Sequence, residues 1–223
     1  FPGYERNLDL AHALCRGGVN VFFFHYRGSW GTGGAFSLSG CLEDVKAARE
    51  HLIGQGQSRR TRIATDRIIA VGHSMGGFLS VLLGCSGLFP AVAGIAAANF
   101  GYIGKRARED CEFREVFRDF MEASLLPLHG TDAPTLMEEI MENAEQWDLG
   151  TRARSAARGA FCLCAGSNDS ICPFSEHHEP VASALLGNPA VTLEEHLFED
   201  KHTLIHSRVG LARALVAWIH GGI

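Results

Sequence analysis

Arg67-Ile68-Ile69-Ala70-Val71-Gly72-His73-Ser74-Met75-Gly76-Gly77-Phe78-Leu79-Ser80-Val81-Leu82-Leu83 sets a serine between two apolar runs of different kind. Its first five residues form a short apolar run that predicts a buried strand, and residues 77–83 predict a buried helix. Between the two, a serine stands among glycines. Such a strand-to-helix turn is tight enough to need small neighbours, and it holds the Ser74 hydroxyl up at the carboxyl end of a sheet. The pentapeptide Gly72–Gly76 is a weak pattern by itself; its strand-turn-helix setting gives it weight. The competing structural reading makes Ser74 an ordinary helix N-cap.

Working outward, strand and helix alternate. Residues 5–16 have a helical stripe of Leu8, Ala11, His12 and Cys15, closed by Gly17-Gly18. Residues 19–25, dense in Phe and Val, predict a strand buried on both faces. Tyr26 to Gly34 is too glycine-rich to be anything but a loop. Leu42, Val45, Ala48 and Leu52 mark the next helix, with Glu43 and Asp44 near its start. After the helix that follows Ser74, residues 92–98 predict another buried strand.

The alternation stops near Gly101 and resumes near Arg158, which predicts core segments at 1–100 and 159–223 and a helical insertion at 101–158. Within the insertion, Phe113, Val116, Phe117, Phe120, Met121 and Leu125 form one apolar stripe. Leu136, Met137, Ile140, Met141, Ala144 and Trp147 form a second, introduced by Asp132 and Pro134. These stripes either pack the insertion on the core or line a lid over an acyl chain. Beyond it follow a strand at 160–165, a helix at 174–186, a strand at 191–198 and a closing helix at 203–220. Regular alternation of this kind argues for an α/β fold, a mostly parallel sheet with helices on both faces.

Composition narrows the function classes. The 223 residues are 46% hydrophobic with a net charge of −5, which fits one globular core and gives no electrostatic reason to bind nucleic acid or an anionic membrane. No run of apolar residues is long enough to span a membrane. Seven cysteines, odd in number and set mostly in apolar runs, suit reduced thiols in the cytoplasm. Cys162 and Cys164 lack a matching second pair, so no metal site is expected. The chain opens Phe1-Pro2-Gly3-Tyr4 without Met, and this reads as a start within a domain.

Ligands of such sheets bind beyond the carboxyl ends of the strands. Ser74 follows a strand directly, Asp169 follows the strand ending at Ala165 and His202 the strand ending near Phe198, so all three are expected at one sheet edge. Asp169 also fits an ordinary turn in Ser167-Asn168-Asp169-Ser170. Eleven histidines compete for a role. His202 is chosen because it stands at a strand-to-helix junction; His73 points away from the serine and is read as packing, His177 and His178 lie in a helix, His196 lies in a strand and His206 lies one turn into a helix. A serine hydroxyl needs an imidazole to take its proton, and the imidazole needs a carboxylate to hold its tautomer. The Met75 amide, at the start of the helix, is the natural first donor to an oxyanion. Trp30 and Tyr26 are read either as parts of a structural loop or as a wall of the substrate pocket, and Arg208 as a surface residue.

Four segments carry a resemblance: Tyr26-Arg27-Gly28-Ser29-Trp30-Gly31, Gly72-His73-Ser74-Met75-Gly76-Gly77, Ala165-Gly166-Ser167-Asn168-Asp169 and Lys201-His202-Thr203-Leu204. In them the chain resembles the α/β-hydrolase superfamily, near dienelactone hydrolases and the catalytic domains of prolyl-oligopeptidase-like enzymes. The order Ser, Asp, His is that of the family's triad. The resemblance implies a serine hydrolase that cleaves a carboxylic ester or related acyl bond of a small-molecule substrate through an acyl-enzyme, without metal or cofactor, under a helical cap. A peptidase of the oligopeptidase-like type and a catalytically silent binding module are the alternatives. Phe1-Pro2-Gly3 looks like the end of the family's His-Gly-X segment, which makes the Phe1 amide the second oxyanion donor and implies that the leading strands are missing. Lys201, where relatives carry small or acidic residues, is expected to disfavour imidazolium.

Overall fold

The computed structural model describes residues 7–56 and 63–222. Helix α1 (Leu8–Arg16) and helix α2 (Leu38–Gly56) precede strand β1 (Ala70–His73), which turns at once into α3 (Met75–Cys85). Strand β2 (Ala91–Ile95) is followed by α4 (Phe100–Glu109), α5 (Cys111–Glu122), α6 (Ala133–Glu142) and α7 (Leu149–Arg154). Strand β3 (Gly159–Gly166), helix α8 (Glu179–Leu186), strand β4 (Val191–Phe198) and helix α9 (Arg208–Gly222) complete the chain. The four strands form one sheet in the order β1-β2-β3-β4, and every pair is parallel.

Side-chain alternation distributes the core between the two faces. Ala91, Ala93 and Ile95 of β2 and Cys162 and Cys164 of β3 pack with Leu14 of α1 and Leu211, Leu215 and Trp218 of α9. The intervening Val92, Phe161 and Leu163 pack on the other face with Phe78 and Val81 of α3, Val45 of α2 and Leu185 of α8. Both faces of the central strands β2 and β3 are therefore covered by helices, as their continuous apolar sequences require.

Residues 19–25 depart from expectation. They form no strand, and Val21, Phe22 and Phe23 are 36, 48 and 47% exposed. The reason is pairing. The period-2 pattern survives, with the Phe22 ring 6.0 Å from that of Phe24 and Phe23 6.0 Å from His25. Among the described residues, however, no strand lies against this segment to accept its hydrogen bonds. Apolar composition alone does not bury a chain that lacks a partner strand.

Two element bounds shift for local reasons. The last helix begins at Arg208, not Thr203, because the Asp200 carboxylate accepts the Lys201 and Ser207 amides at 2.8 and 2.9 Å and closes the intervening residues into a loop. His206 therefore lies in that loop and not within a helix. The helix expected at 174–186 opens with a wide π-type turn at Phe174–His178 before α8.

Between β2 and β3 the chain is helical, and the start of each helix has a chemical cause. Asn99, Asp110, Asp132 and Asp148 cap α4, α5, α6 and α7, each side chain accepting the amide three residues on. Glu139 of α6 reaches α2 and accepts the Leu38 and Ser39 amides at 2.9 and 2.8 Å, so a carboxylate from the middle of the chain caps a core helix. The second apolar stripe packs inward, with Leu136, Met137, Ile140, Ala144 and Trp147 buried and Trp147 edge-on to Phe78.

Candidate active site

The elbow is built by backbone geometry. Ser74 has φ +56° and ψ −113°, a region that non-glycine residues enter only when their surroundings hold them there. Here its amide donates to Ile95 O at 2.8 Å, and its carbonyl accepts the Phe78 and Ala98 amides at 3.0 and 3.2 Å. The flanking glycines are not equivalent. A Cβ on Gly72 would overlap the Gly76 carbonyl, and one on Gly77 would stand 3.0 Å from Ala97, whereas one on Gly76 would meet nothing closer than the Tyr26 hydroxyl at 3.8 Å.

Asp169 and His202 reach Ser74 from the loops after β3 and β4. The loops after β3 and β4 are tied to each other, with Ser167 N–H donating to Phe198 O at 2.8 Å and Asn168 N–H to Asp200 O at 3.0 Å. Asp169 is buried; its Oδ1 accepts the Ile171 and Cys172 amides, each at 2.9 Å, and its Oδ2 meets His202 Nδ1 at 2.7 Å. Burial works to raise the Asp169 pKa, but the His202 partner and the two amides outweigh it and hold the carboxyl below its ordinary value. An ionised carboxylate only accepts, so Nδ1 of His202 carries a proton, and in the neutral imidazole Nε2 then presents a lone pair. That Nε2 lies 2.9 Å from Ser74 Oγ. The three residues read from the sequence are thus joined in one hydrogen-bonded line.

Two further histidines belong to this neighbourhood. His73, read from the sequence as packing, lies 2.8 Å through Nε2 from the carbonyl oxygen of His202; a carbonyl only accepts, so His73 donates. Buried His177 accepts the Asn99 amide on Nδ1 at 2.9 Å, while Asn99 Oδ1 takes the Leu149 amide at 3.1 Å. His177 thereby ties the segment after Asp169 to the start of α4. Burial lowers its pKa to about 4, so it is neutral near pH 7. Only its place in a helical pattern was visible in the sequence, and nothing there named Asn99 as its partner.

A cavity of about 830 Å³ opens onto Ser74 and Met75. Tyr26 and Trp30 stand in its wall, together with Phe117 and Phe120 of α5 and with Ile171. The first apolar stripe of the insertion is therefore divided: Phe117 and Phe120 face the cavity, while Met121 is buried in the core and Val116 is exposed. The glycine-rich loop is pinned to the insertion, with Trp30 N–H donating to Pro127 O at 2.8 Å and His129 N–H to Gly28 O at 2.8 Å. Met75 opens α3, so its amide is one of those a helix leaves without an internal partner. Phe1 lies outside the described residues. Lys201 is exposed, and Arg208 pairs with Asp9 at 3.3 Å.

Among the described residues one group of side chains has metal-ligand proximity: Asp169, Cys172 and His202, with ligand atoms within 4.8 Å of one another. The Asp169–His202 hydrogen bond already uses two of them, and an ion there would have to replace it. Cys162 and Cys164, 3.9 Å apart and buried, form an S–H···S contact with no third ligand among the described residues. No helix among the described residues is long and apolar enough to cross a membrane.

A serine on a left-handed strand-to-helix turn, with His and Asp from the following strand ends, defines an α/β protein of the nucleophile-elbow class. The chain belongs to the alpha/beta hydrolase family, whose model matches residues 2–214. It is 41% identical over 64 residues to the alpha/beta hydrolase domain-containing protein WAV2 of Arabidopsis thaliana; the match covers 29% of this chain and 19% of that protein's length. Among solved structures it is similar to a monoacylglycerol lipase of Paleococcus ferrophilus, with TM-score 0.64 and 16% identity over 97% of this chain and 89% of the other. It is also similar to a putative dipeptidyl aminopeptidase IV of Bacteroides ovatus, with TM-score 0.59 and 14% identity over 83% of this chain and 23% of the other. At these identities the structural likenesses speak for the fold.

Proposed function

We propose that the chain is a serine hydrolase that cleaves carboxylic esters through an acyl-enzyme. The observation that carries this is the continuous line Ser74 Oγ–His202 Nε2 at 2.9 Å and His202 Nδ1–Asp169 Oδ2 at 2.7 Å, whose Ser74 and His202 members line the cavity. Ser74 Oγ attacks the ester carbonyl carbon as its proton passes to His202 Nε2. The tetrahedral oxyanion takes a hydrogen bond from the Met75 amide, and Asp169 stabilises the imidazolium. His202 then gives its proton to the departing alkoxide, leaving the acyl group on Ser74. Water, deprotonated by the same nitrogen, attacks the acyl carbon; the bond to Ser74 Oγ breaks, Oγ takes the proton back from His202 Nε2, and the acid is released.

The helices of residues 101–158 act in this reading as a cap whose Phe117 and Phe120 side chains line the acyl side of the pocket. Apolar rings at that place favour an alkyl or aryl acyl group over a charged one. The test is hydrolysis of p-nitrophenyl esters of increasing acyl length beside aminoacyl p-nitroanilides, for wild type and Ser74→Ala. Ester turnover that disappears in Ser74→Ala supports the proposal. Turnover of the anilides alone would reassign the protein as a peptidase, and turnover of neither would mark a silent binding module.

A further inference from the structure

We propose that His73 is a positioning residue for His202, fixing through its side chain the main chain from which the catalytic imidazole projects. The inference rests on the triad reading above. His202 lies in the loop between β4 and α9, outside any strand or helix. Among the described residues its main chain makes one hydrogen bond, the one its carbonyl oxygen accepts from His73 Nε2 at 2.8 Å. The loop is held on either side of it, by Asp200 on the Lys201 and Ser207 amides and by the Leu204 amide on Lys201 O at 3.0 Å. At His202 itself the anchor is a side chain of β1.

The origin of that side chain matters. His73 is the last residue of β1, is paired in register with Ile95 of β2, and immediately precedes Ser74. One strand end therefore holds both the nucleophile, through the peptide bond, and the base, through an imidazole, although 128 residues separate Ser74 from His202. Attack geometry tolerates little drift, and a displacement of about 1 Å is enough to cost on the order of a hundredfold in rate. The two rings are 5.0 Å apart. Burial, together with the neighbouring His202 and Arg208, lowers the His73 pKa to about 4, against the opposing effect of the hydrogen bond to His202. His73 is thus neutral while His202 becomes imidazolium, and it adds no opposing charge.

The test compares His73→Gln, whose amide keeps an N–H donor, with His73→Phe and His73→Leu, which keep bulk and lose the donor. Each is assayed for the rate of fluorophosphonate labelling and for kcat and KM on a p-nitrophenyl ester, beside wild type and Ser74→Ala. The expected result is a fall of at least tenfold in labelling rate and kcat for the Phe and Leu variants, KM within about twofold, and recovery of most of the rate in Gln. Two donor-less variants are used so that loss of folding in one, read by circular dichroism, leaves the other to decide. Wild-type rates in a folded Phe or Leu variant, or equal losses in Gln and Phe, would overturn the inference while leaving the triad standing. A wild-type protein that the probe does not label would overturn the triad reading and this inference with it.

Discussion

Asp169 and His202 meet at 2.7 Å because β3 and β4 end in register, Gly166 opposite Phe198, and each residue stands a few positions past its strand end. The closeness of the two loops is enforced: a Cβ on Gly166 would overlap the Asp200 carbonyl. Asp169 fixes the His202 tautomer, so Asp169→Asn should leave the fold intact and place the proton on the wrong nitrogen. A loss in kcat of about 10³–10⁴-fold is expected, with KM little changed. Steady-state ester hydrolysis, checked by circular dichroism for folding, measures it.

The glycines of the elbow give a contrast within one turn. Gly72→Ala forces a Cβ into the Gly76 carbonyl and should destabilise by about 3 kcal/mol or more. Gly76→Ala meets only the Tyr26 hydroxyl, at ordinary contact distance, within α3 and should be neutral or stabilising by up to about 1 kcal/mol. Urea unfolding of the two variants beside wild type reads both, and equal destabilisation would contradict the packing described.

The wall of the cavity sets chain length in this account. Phe117→Trp adds bulk to the acyl side, and kcat/KM for long-chain p-nitrophenyl esters should fall at least tenfold while that for the acetate stays within about threefold. A uniform change across the series would place the acyl chain elsewhere.

Buried His177 gives the pH dependence of stability a definite sign. Its folded pKa, lowered to about 4 by burial, lies below the unfolded value of about 6.5, so the unfolded chain binds the proton more tightly. Its contribution is fully present above about pH 6.5 and is lost as pH falls toward 4, by up to about 3 kcal/mol. Denaturation midpoints measured between pH 7.5 and 4.5 should decline, and His177→Gln should lessen that decline without abolishing it, because buried His73, its pKa also lowered to about 4, acts in the same direction. Asp169, with its depressed pKa, acts in the same direction at lower pH.

The chemistry was more legible in the sequence than the packing. Ser74, Asp169 and His202 could be found because Ser74 follows its strand at once and the other two stand in the short loops after theirs, and a parallel sheet carries all such positions to one edge. The helix starts at Asp110, Asp132 and Asp148 were legible in kind, since an Asp before an amphipathic run is a cap, although only Asp132 was read that way. Residues 19–25 misled because an apolar run predicts burial only when a neighbouring strand takes its backbone. The hydrogen bond of His73 has no sequence signature, because its partner is a main-chain carbonyl 129 residues away. The unequal roles of Gly72 and Gly76 were likewise invisible, because they depend on where a Cβ would point.

The most direct measurement of the central claim is mass mapping of the protein after reaction with a fluorophosphonate probe. One adduct is expected, on the peptide that contains Ser74, absent in Ser74→Ala and slowed at least a hundredfold in His202→Ala. An adduct on another residue, or labelling of Ser74→Ala at the wild-type rate, would contradict it.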